Sequence, residues 1–285
     1  MLREGWKLQA ELVLAKSSLF ERFCDRQERL DNDALVLIHG LGEHLGRYLH
    51  FLNYLDASVG GVFSWDHLGH GRSLGKRGSG TFEHHVEVTA SCIREFHAFL
   101  NRKWGSCRLH IVGQSMGGLI ALRLPRDLPI ASMTVSAPFL GLKETPSFWK
   151  KSLGYALSWI APGISLKSEL DPAKLSHDVE VVEAYRKDPW VHTSITPRLF
   201  FSMLEGIDLA FQNTGYPFPV QMLVPLEDAI VDPSCSLRFF EMLQAPSKRL
   251  RTYPHFYHEP FQELGKQQVF EDLNTWILQC AVKKL

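Results

Sequence analysis

The sequence predicts an α/β fold: a mostly parallel, eight-stranded sheet with helices on both faces and an inserted helical cap. Three observations lead there. Short apolar runs alternate with stripes at helical spacing, as they do where crossover helices join parallel strands. The stretch Gly113-Gln114-Ser115-Met116-Gly117-Gly118 follows one such apolar run and opens a helix-like one. Residues 139–215 then break the rhythm, being long, rich in Pro and Trp, and without clear strands.

Taken in order, the N-terminal segment, about 30 residues of short alternating stretches, predicts an antiparallel edge hairpin. Residues 34–38, 62–65, 109–112, 132–136 and 220–224 read as buried strands, with 249–253 as the next. Between them, Tyr48, Phe51, Leu52 and Leu55 form one apolar stripe and Val86, Ala90, Ile93, Phe96 and Leu100 another. Val269, Phe270, Leu273, Trp276, Ile277 and Cys280 repeat at helical spacing near the C-terminus. Asp232-Pro233 reads as an N-cap followed by proline at the first helical position. Within 139–215, Trp149, Leu153, Ala156, Leu157 and Ile160 share a helical face beside Lys150 and Lys151. The expected division is a core of residues 1–138 and 216–285 with a helical cap at 139–215 above the strand ends, where open α/β sheets bind ligands.

Composition narrows the function. The chain has 285 residues, 45% hydrophobic, with 31 basic and 31 acidic side chains and no formal net charge. That is enough for one large core, and it lacks the basic footprint that nucleic-acid binding leaves. No run approaches the ~20 apolar residues of a spanning helix, and residues 1–6 hold no apolar signal core. The five cysteines, Cys24, Cys92, Cys107, Cys235 and Cys280, are odd in number and lack framework spacing. They read as reduced structural thiols of a cytoplasmic protein. Nothing in the pattern speaks to oligomeric state.

A serine between small residues at a strand-to-helix turn is the nucleophile elbow of a serine hydrolase. Such a hydroxyl needs a histidine base held by a carboxylate, and after an elbow these follow in the order carboxylate, then histidine. Past the strand at 220–224 stand Glu227, Asp228 and Asp232. Asp228 is favoured, because Asp232 reads as a helix cap and Glu227 as solvent-facing. Past the strand at 249–253 stand His255 and His258, and His258, just before the last helix, is favoured. The developing oxyanion needs two donors. The Met116 amide follows the nucleophile, and the glycine-bearing loop His39-Gly40-Leu41-Gly42-Glu43-His44 offers the Leu41 amide.

The histidines His67 and His70, and the pair His84-His85, have metal-like spacing, but no Cys or carboxylate pattern completes a closed site. Asp66-His67-Leu68-Gly69-His70-Gly71-Arg72-Ser73 reads instead as a tight post-strand loop. No Gly-x-Gly-x-x-Gly follows the first core strand. No metal and no cofactor is expected.

Over roughly residues 20–280 the chain resembles the monoacylglycerol lipase and lysophospholipase branch of the α/β-hydrolases. The resemblance rests on residues 39–44 with Arg47-Tyr48, on residues 66–73 and 113–118, on Ser136-Ala137-Pro138 and Asp188-Pro189-Trp190, and on Asp228 with His258. It implies a Ser115–His258–Asp228 triad, an oxyanion hole from Leu41 and Met116, and an apolar cap over an acyl tunnel. It puts Glu43 and Arg47 beside a polar head-group pocket; a structural ion pair beneath the oxyanion loop is the equal alternative. Two positions depart from the family pattern. Pro225 stands where glycine is usual, three residues before the carboxylate. Phe261 stands where some glycerol-ester lipases carry a second histidine.

The expected activity is hydrolysis of a single-chain lipid ester, a monoacylglycerol or lysophospholipid, with Phe148, Trp149, Leu153 and Trp159 of the cap against the acyl chain. Transient contact of the cap with a membrane or micelle surface would accompany it. Peptidase, thioesterase, general esterase and carbon–carbon bond hydrolase activities on the same scaffold are the alternatives, since fold does not separate them. A non-catalytic binding protein would usually lack a triad member, and here none is missing.

Overall fold

The computed structural model describes residues 6–9, 21–26, 32–144, 158, 160–161, 163–168 and 170–282. Its sheet runs in the order β1-β2-β4-β3-β5-β6-β9-β10. These strands are β1 (Trp6–Gln9), β2 (Glu21–Arg26), β3 (Asp33–Ile38), β4 (Val59–Trp65), β5 (Arg108–Gln114), β6 (Ile130–Ser136), β9 (Val220–Pro225) and β10 (Lys248–Tyr253). The strands from β4 to β10 in this order are parallel. The edge strands β1 and β2 pair antiparallel with each other, and β2 pairs antiparallel with β4.

Period-two alternation sends side chains to two apolar layers. In β3, Ala34, Val36 and Ile38 join the cluster packed by α1 (Phe82–Trp104) and α2 (Met116–Arg123). Leu35 and Leu37 face the other way, onto Tyr48, Phe51, Phe261 and the helix α6 (Lys266–Val282). The α1 stripe is buried as its spacing predicts, and so is the α6 stripe from Val269 to Ile277. Full burial of a side chain of this size stabilises by roughly 1.5–3 kcal/mol.

Three local features differ from the sequence reading. The stripe at residues 48–55 lies mostly in a 3-10 segment, Leu45–Asn53, rather than an α-helix. Residues 139–215 contain two very short strands, β7 (Leu166–Lys167) and β8 (Ser194–Ile195), paired antiparallel. They also contain α3 (Val179–Lys187) and α4 (Pro197–Gln212). α4 packs on α1 and α2, and its Leu199, Met203, Ile207 and Ala210 lie in the first apolar layer. The Asp232 carboxylate caps α5 (Pro233–Met242) by accepting from Ser234 N–H, as expected. Among the described residues no helix is long and apolar enough to cross a membrane.

This topology gathers four loops at the carboxyl ends of two strand pairs, β3 with β5 and β9 with β10, which β6 separates. Residues 39–44 follow β3, Ser115 follows β5, Asp228 follows β9 and His258 follows β10.

Candidate active site

Ser115 sits between β5 and α2 with φ 53° and ψ −116°, in the half of conformational space that side chains disfavour. Its neighbours impose this. The Ser115 N–H donates to Ser136 O at 3.0 Å, and its carbonyl accepts from Leu119 and Phe139 N–H, each at 3.0 Å. The turn is so tight that a Cβ on Gly113 would overlap the Gly117 carbonyl, and one on Gly117 would overlap the Ile38 carbonyl. The strain lifts the hydroxyl clear of the sheet and leaves the Met116 amide at the first turn of α2, where amides lack intrahelical partners.

The structure brings Ser115, His258 and Asp228 together. His258 Nε2 is 2.9 Å from Ser115 Oγ, and His258 Nδ1 is 2.7 Å from Asp228 Oδ2. Asp228 is held in turn by its other oxygen, which accepts from Ile230 N–H at 2.8 Å and Val231 N–H at 2.9 Å. Both Asp228 and His258 are buried. Burial works against a charged imidazolium, yet Asp228 beside Nδ1, with Glu259 and Glu43 behind it, outweighs burial and holds the His258 pKa above that of an ordinary histidine.

The rival residues lie elsewhere. Glu227 and His255 pair with each other at the surface, 3.0 Å apart. Asp232 is occupied as the α5 cap. Pro225 ends β9 opposite Tyr253, and the chain regains its hydrogen bonding at once, with Leu226 N–H on Tyr253 O at 3.0 Å. Proline at that place therefore leaves the approach to Asp228 intact.

The loop after β3 is built on Glu43. Its Oε1 accepts from Gly40 N–H and from Tyr48 Oη, both at 2.6 Å, which bends the backbone around Leu41. Its Oε2 receives Arg47 Nη1 at 2.6 Å. Arg47 also forks onto Glu259, Nη1 to Oε1 at 2.7 Å and Nη2 to Oε2 at 2.6 Å. Glu43 and Arg47 thus form a buried ion pair beneath the loop after β3, with both Arg47 Nη atoms engaged. Burial pushes the Glu43 carboxyl upward, against the pull of Arg47. Phe261 is 1% exposed and packs on Phe51 and Phe270 in the core, so it faces away from the site.

The loop after β4 is held by Asp66. One carboxylate oxygen accepts from Leu45 N–H and the other from Arg72 N–H, each at 2.8 Å. His39, His67, His70 and His85 pack ring to ring beneath it, all buried. His39 Nδ1–H donates to Gly40 O and its Nε2 accepts from His67 N–H, an arrangement only a neutral ring can make. Among the described residues no three His, Cys, Asp or Glu side chains converge as metal ligands.

Segments from 139–215 close over these loops. His192 N–H donates to Gly42 O at 2.8 Å, His44 Nε2–H to Asp188 Oδ2 at 2.8 Å, and the Tyr185 ring lies 4.7 Å from the Arg47 guanidinium. Phe148, Trp149, Leu153 and Trp159 lie outside the described residues. Sequence reasoning missed Glu259 and Gln114, whose Nε2 donates to His258 O at 2.9 Å. An acidic residue directly after the favoured histidine was the available signal for Glu259.

A strained serine at the end of a central parallel strand, with a histidine and a carboxylate from the two strands at one side, defines the serine-hydrolase class on an α/β-hydrolase fold. Residues 31–265 match the family described as Serine aminopeptidase, S33, and the chain belongs to that family. It is 29% identical over 251 residues to the monoacylglycerol lipase of Mycolicibacterium smegmatis, covering 86% of this chain and 87% of that protein. It is 26% identical over 266 residues to the monoglyceride lipase of Homo sapiens, covering 86% and 82%. The crystal structure of Paleococcus ferrophilus monoacylglycerol lipase superposes with a TM-score of 0.80 at 31% identity, covering 92% of this chain and 99% of that one.

Proposed function

We propose that the protein hydrolyses the carboxylic ester of a single-chain lipid, a monoacylglycerol or a lysophospholipid, through an acyl-enzyme on Ser115. The observation that carries the reading is the unbroken hydrogen-bonded line from Asp228 through His258 to Ser115 Oγ. The carboxylate accepts a hydrogen bond from Nδ1–H, which keeps the proton on Nδ1 and leaves Nε2 as an acceptor facing the hydroxyl. Ser115 attacks the ester carbonyl as Nε2 takes its proton, and Asp228 stabilises the imidazolium. The Met116 and Leu41 amides receive the oxyanion. The proton passes to the glyceryl oxygen as it leaves, and water repeats the sequence on the acyl-enzyme.

The lipid part of the reading is supported by the lipase names of relatives that are similar over most of the chain. In this reading Phe148, Trp149, Leu153 and Trp159 meet the acyl chain. Each buried methylene contributes about 0.8 kcal/mol, so kcat/KM rises as much as about fourfold per carbon until the tunnel is filled. Exposed apolar side chains support contact with a lipid surface: Leu74 in the loop after β4 is 67% exposed, and along the cap segment Ile160 is 82% exposed, with Ile164 and Leu166 also exposed. Lys76 Nζ bonds to Gly163 O and ties the Leu74 loop to the segment carrying them.

The family description favours one rival, an amide substrate. A purified-enzyme panel with one acyl chain on glycerol, on a lysophospholipid, on a thioester and on an amine, plus an aminoacyl amide, separates the two. Preference for the oxygen esters is the expected result; preference for the aminoacyl amide would overturn it.

A further inference from the structure

We propose that Glu259, acting through Arg47, is a positioning residue that holds the loop of the base histidine in register with the oxyanion loop. The inference rests on the reading of Ser115, Asp228 and His258 given above. Asp228 orients the His258 ring, but the backbone that carries the ring must also be placed. Its own anchors are few: Gln114 Nε2 donates to His258 O at 2.9 Å, and His258 N–H reaches Lys174 O at 3.5 Å. The next residue supplies the strong tie. Glu259 meets Arg47 through two parallel charge-assisted bonds of 2.7 and 2.6 Å, and the two side chains are 6% and 8% exposed. A fork of this kind fixes angle as well as distance.

The tie continues to the other half of the site. The same Nη1 bonds Glu43 Oε2, and Glu43 Oε1 takes the Gly40 N–H, one residue before the Leu41 amide. Planar charged groups therefore connect the residue after the base to the residue before the oxyanion donor. A second strut runs in parallel, from Gln262 Nε2 to Arg47 O at 2.8 Å. Because Phe261 between them is buried in the core, neither Glu259 nor Gln262 is free to swing.

The charge count separates this device from a plain structural staple. One guanidinium faces two carboxylates, so the cluster keeps an excess negative charge near the imidazole. The groups around His258 are Asp228, Glu259 and Glu43, with Arg47 opposing them. Both carboxylates of the cluster favour the charged ring. Removing the Glu259 carboxylate must therefore lower the His258 pKa.

The test is the pH dependence of kcat and KM on a short-chain p-nitrophenyl ester for Glu259→Gln, Arg47→Met and Arg47→Lys, each checked by thermal melting. Glu259→Gln is expected to lower kcat about 10- to 100-fold, with KM changed less than about twofold. Its acid limb should move to lower pH, and Arg47→Met, which cuts the same tie, should lose kcat in parallel. A folded Glu259→Gln enzyme with wild-type kcat and an unmoved acid limb would overturn the proposal, as would a loss residing wholly in KM. If Glu259→Gln does not fold, Arg47→Lys decides, because it keeps the charge and loses the fork: reduced kcat supports the proposal and wild-type kcat overturns it. Ser115→Ala run alongside separates the two levels. If it retains activity, the nucleophile reading has failed; if it is inactive while Glu259→Gln is fully active, only the positioning role has.

Discussion

His258 Nε2 lies 2.9 Å from Ser115 Oγ although 143 residues separate them in the chain. One imidazole thereby joins the ends of β5, β9 and β10, since its other nitrogen meets Asp228. The consequences can be tested one at a time.

Replacing Asp228 by Asn should leave the fold intact and lower kcat by about 10⁴-fold. Asp228 Oδ1 already accepts two backbone amides, so the asparagine oxygen will stay there and its NH₂ will face His258 Nδ1. That forces the proton onto Nε2, which can then only donate to Ser115. Steady-state kinetics with a melting curve checks this. A loss under about tenfold would argue that the carboxylate is not the orienting group.

Backbone strain at Ser115 predicts an inverse relation between activity and stability. Ser115→Gly should be inactive yet more stable than Ser115→Ala by about 1 kcal/mol, because glycine alone adopts φ 53°, ψ −116° without steric cost. Urea unfolding of the two variants measures the difference. Equal stabilities would mean that the turn carries no strain.

The raised pKa of His258 sets the acid limb of the kcat/KM profile. The base must be neutral, so activity rises with pH through the free-enzyme pKa, and that midpoint should lie above the 6.5 of an unperturbed histidine. A midpoint below 6.5 would contradict the balance of charges around the ring.

Stability should fall in acid. Burial, and then neighbouring imidazoles, lower the pKa values of His39, His67 and His70 well below normal, and that of His85 to about 4. Groups with depressed histidine pKa values contribute stability that is fully present above about 6.5 and is lost as pH falls toward the folded value. His258, with its raised pKa, works in the opposite sense and is outnumbered. Melting temperature should therefore drop between pH 7 and pH 4, by about 2–4 °C per kcal/mol lost, and His85→Gln should flatten the slope. A flat profile in the wild type would contradict it.

Much of this candidate site was legible because its side chains sit where strands end. Apolar runs place β5, β9 and β10, and Ser115, Asp228 and His258 lie within five residues of their ends, with Glu227 and His255 as nearer rivals on the last two. The choice of Asp228 over Glu227 also followed from position, but what occupies Glu227 did not: its pairing with His255 is a tertiary fact. The same holds for Glu259, whose partner Arg47 lies 212 residues away. Residues 197–212 read as cap because they fall in an irregular stretch. Yet Leu199, Met203, Ile207 and Ala210 repeat at nearly helical spacing, and that stripe packs on α1 and α2. Strands of two residues, such as β7 and β8, are too short to leave a periodic signal.

The most direct measurement is fluorophosphonate labelling of the native enzyme followed by peptide mass spectrometry. An activated serine predicts a single adduct on Ser115, formed faster as pH rises through the His258 midpoint and absent from Ser115→Ala, together with esterase activity. An adduct on another residue, or a Ser115→Ala enzyme that still turns over ester, would contradict the assignment of the nucleophile.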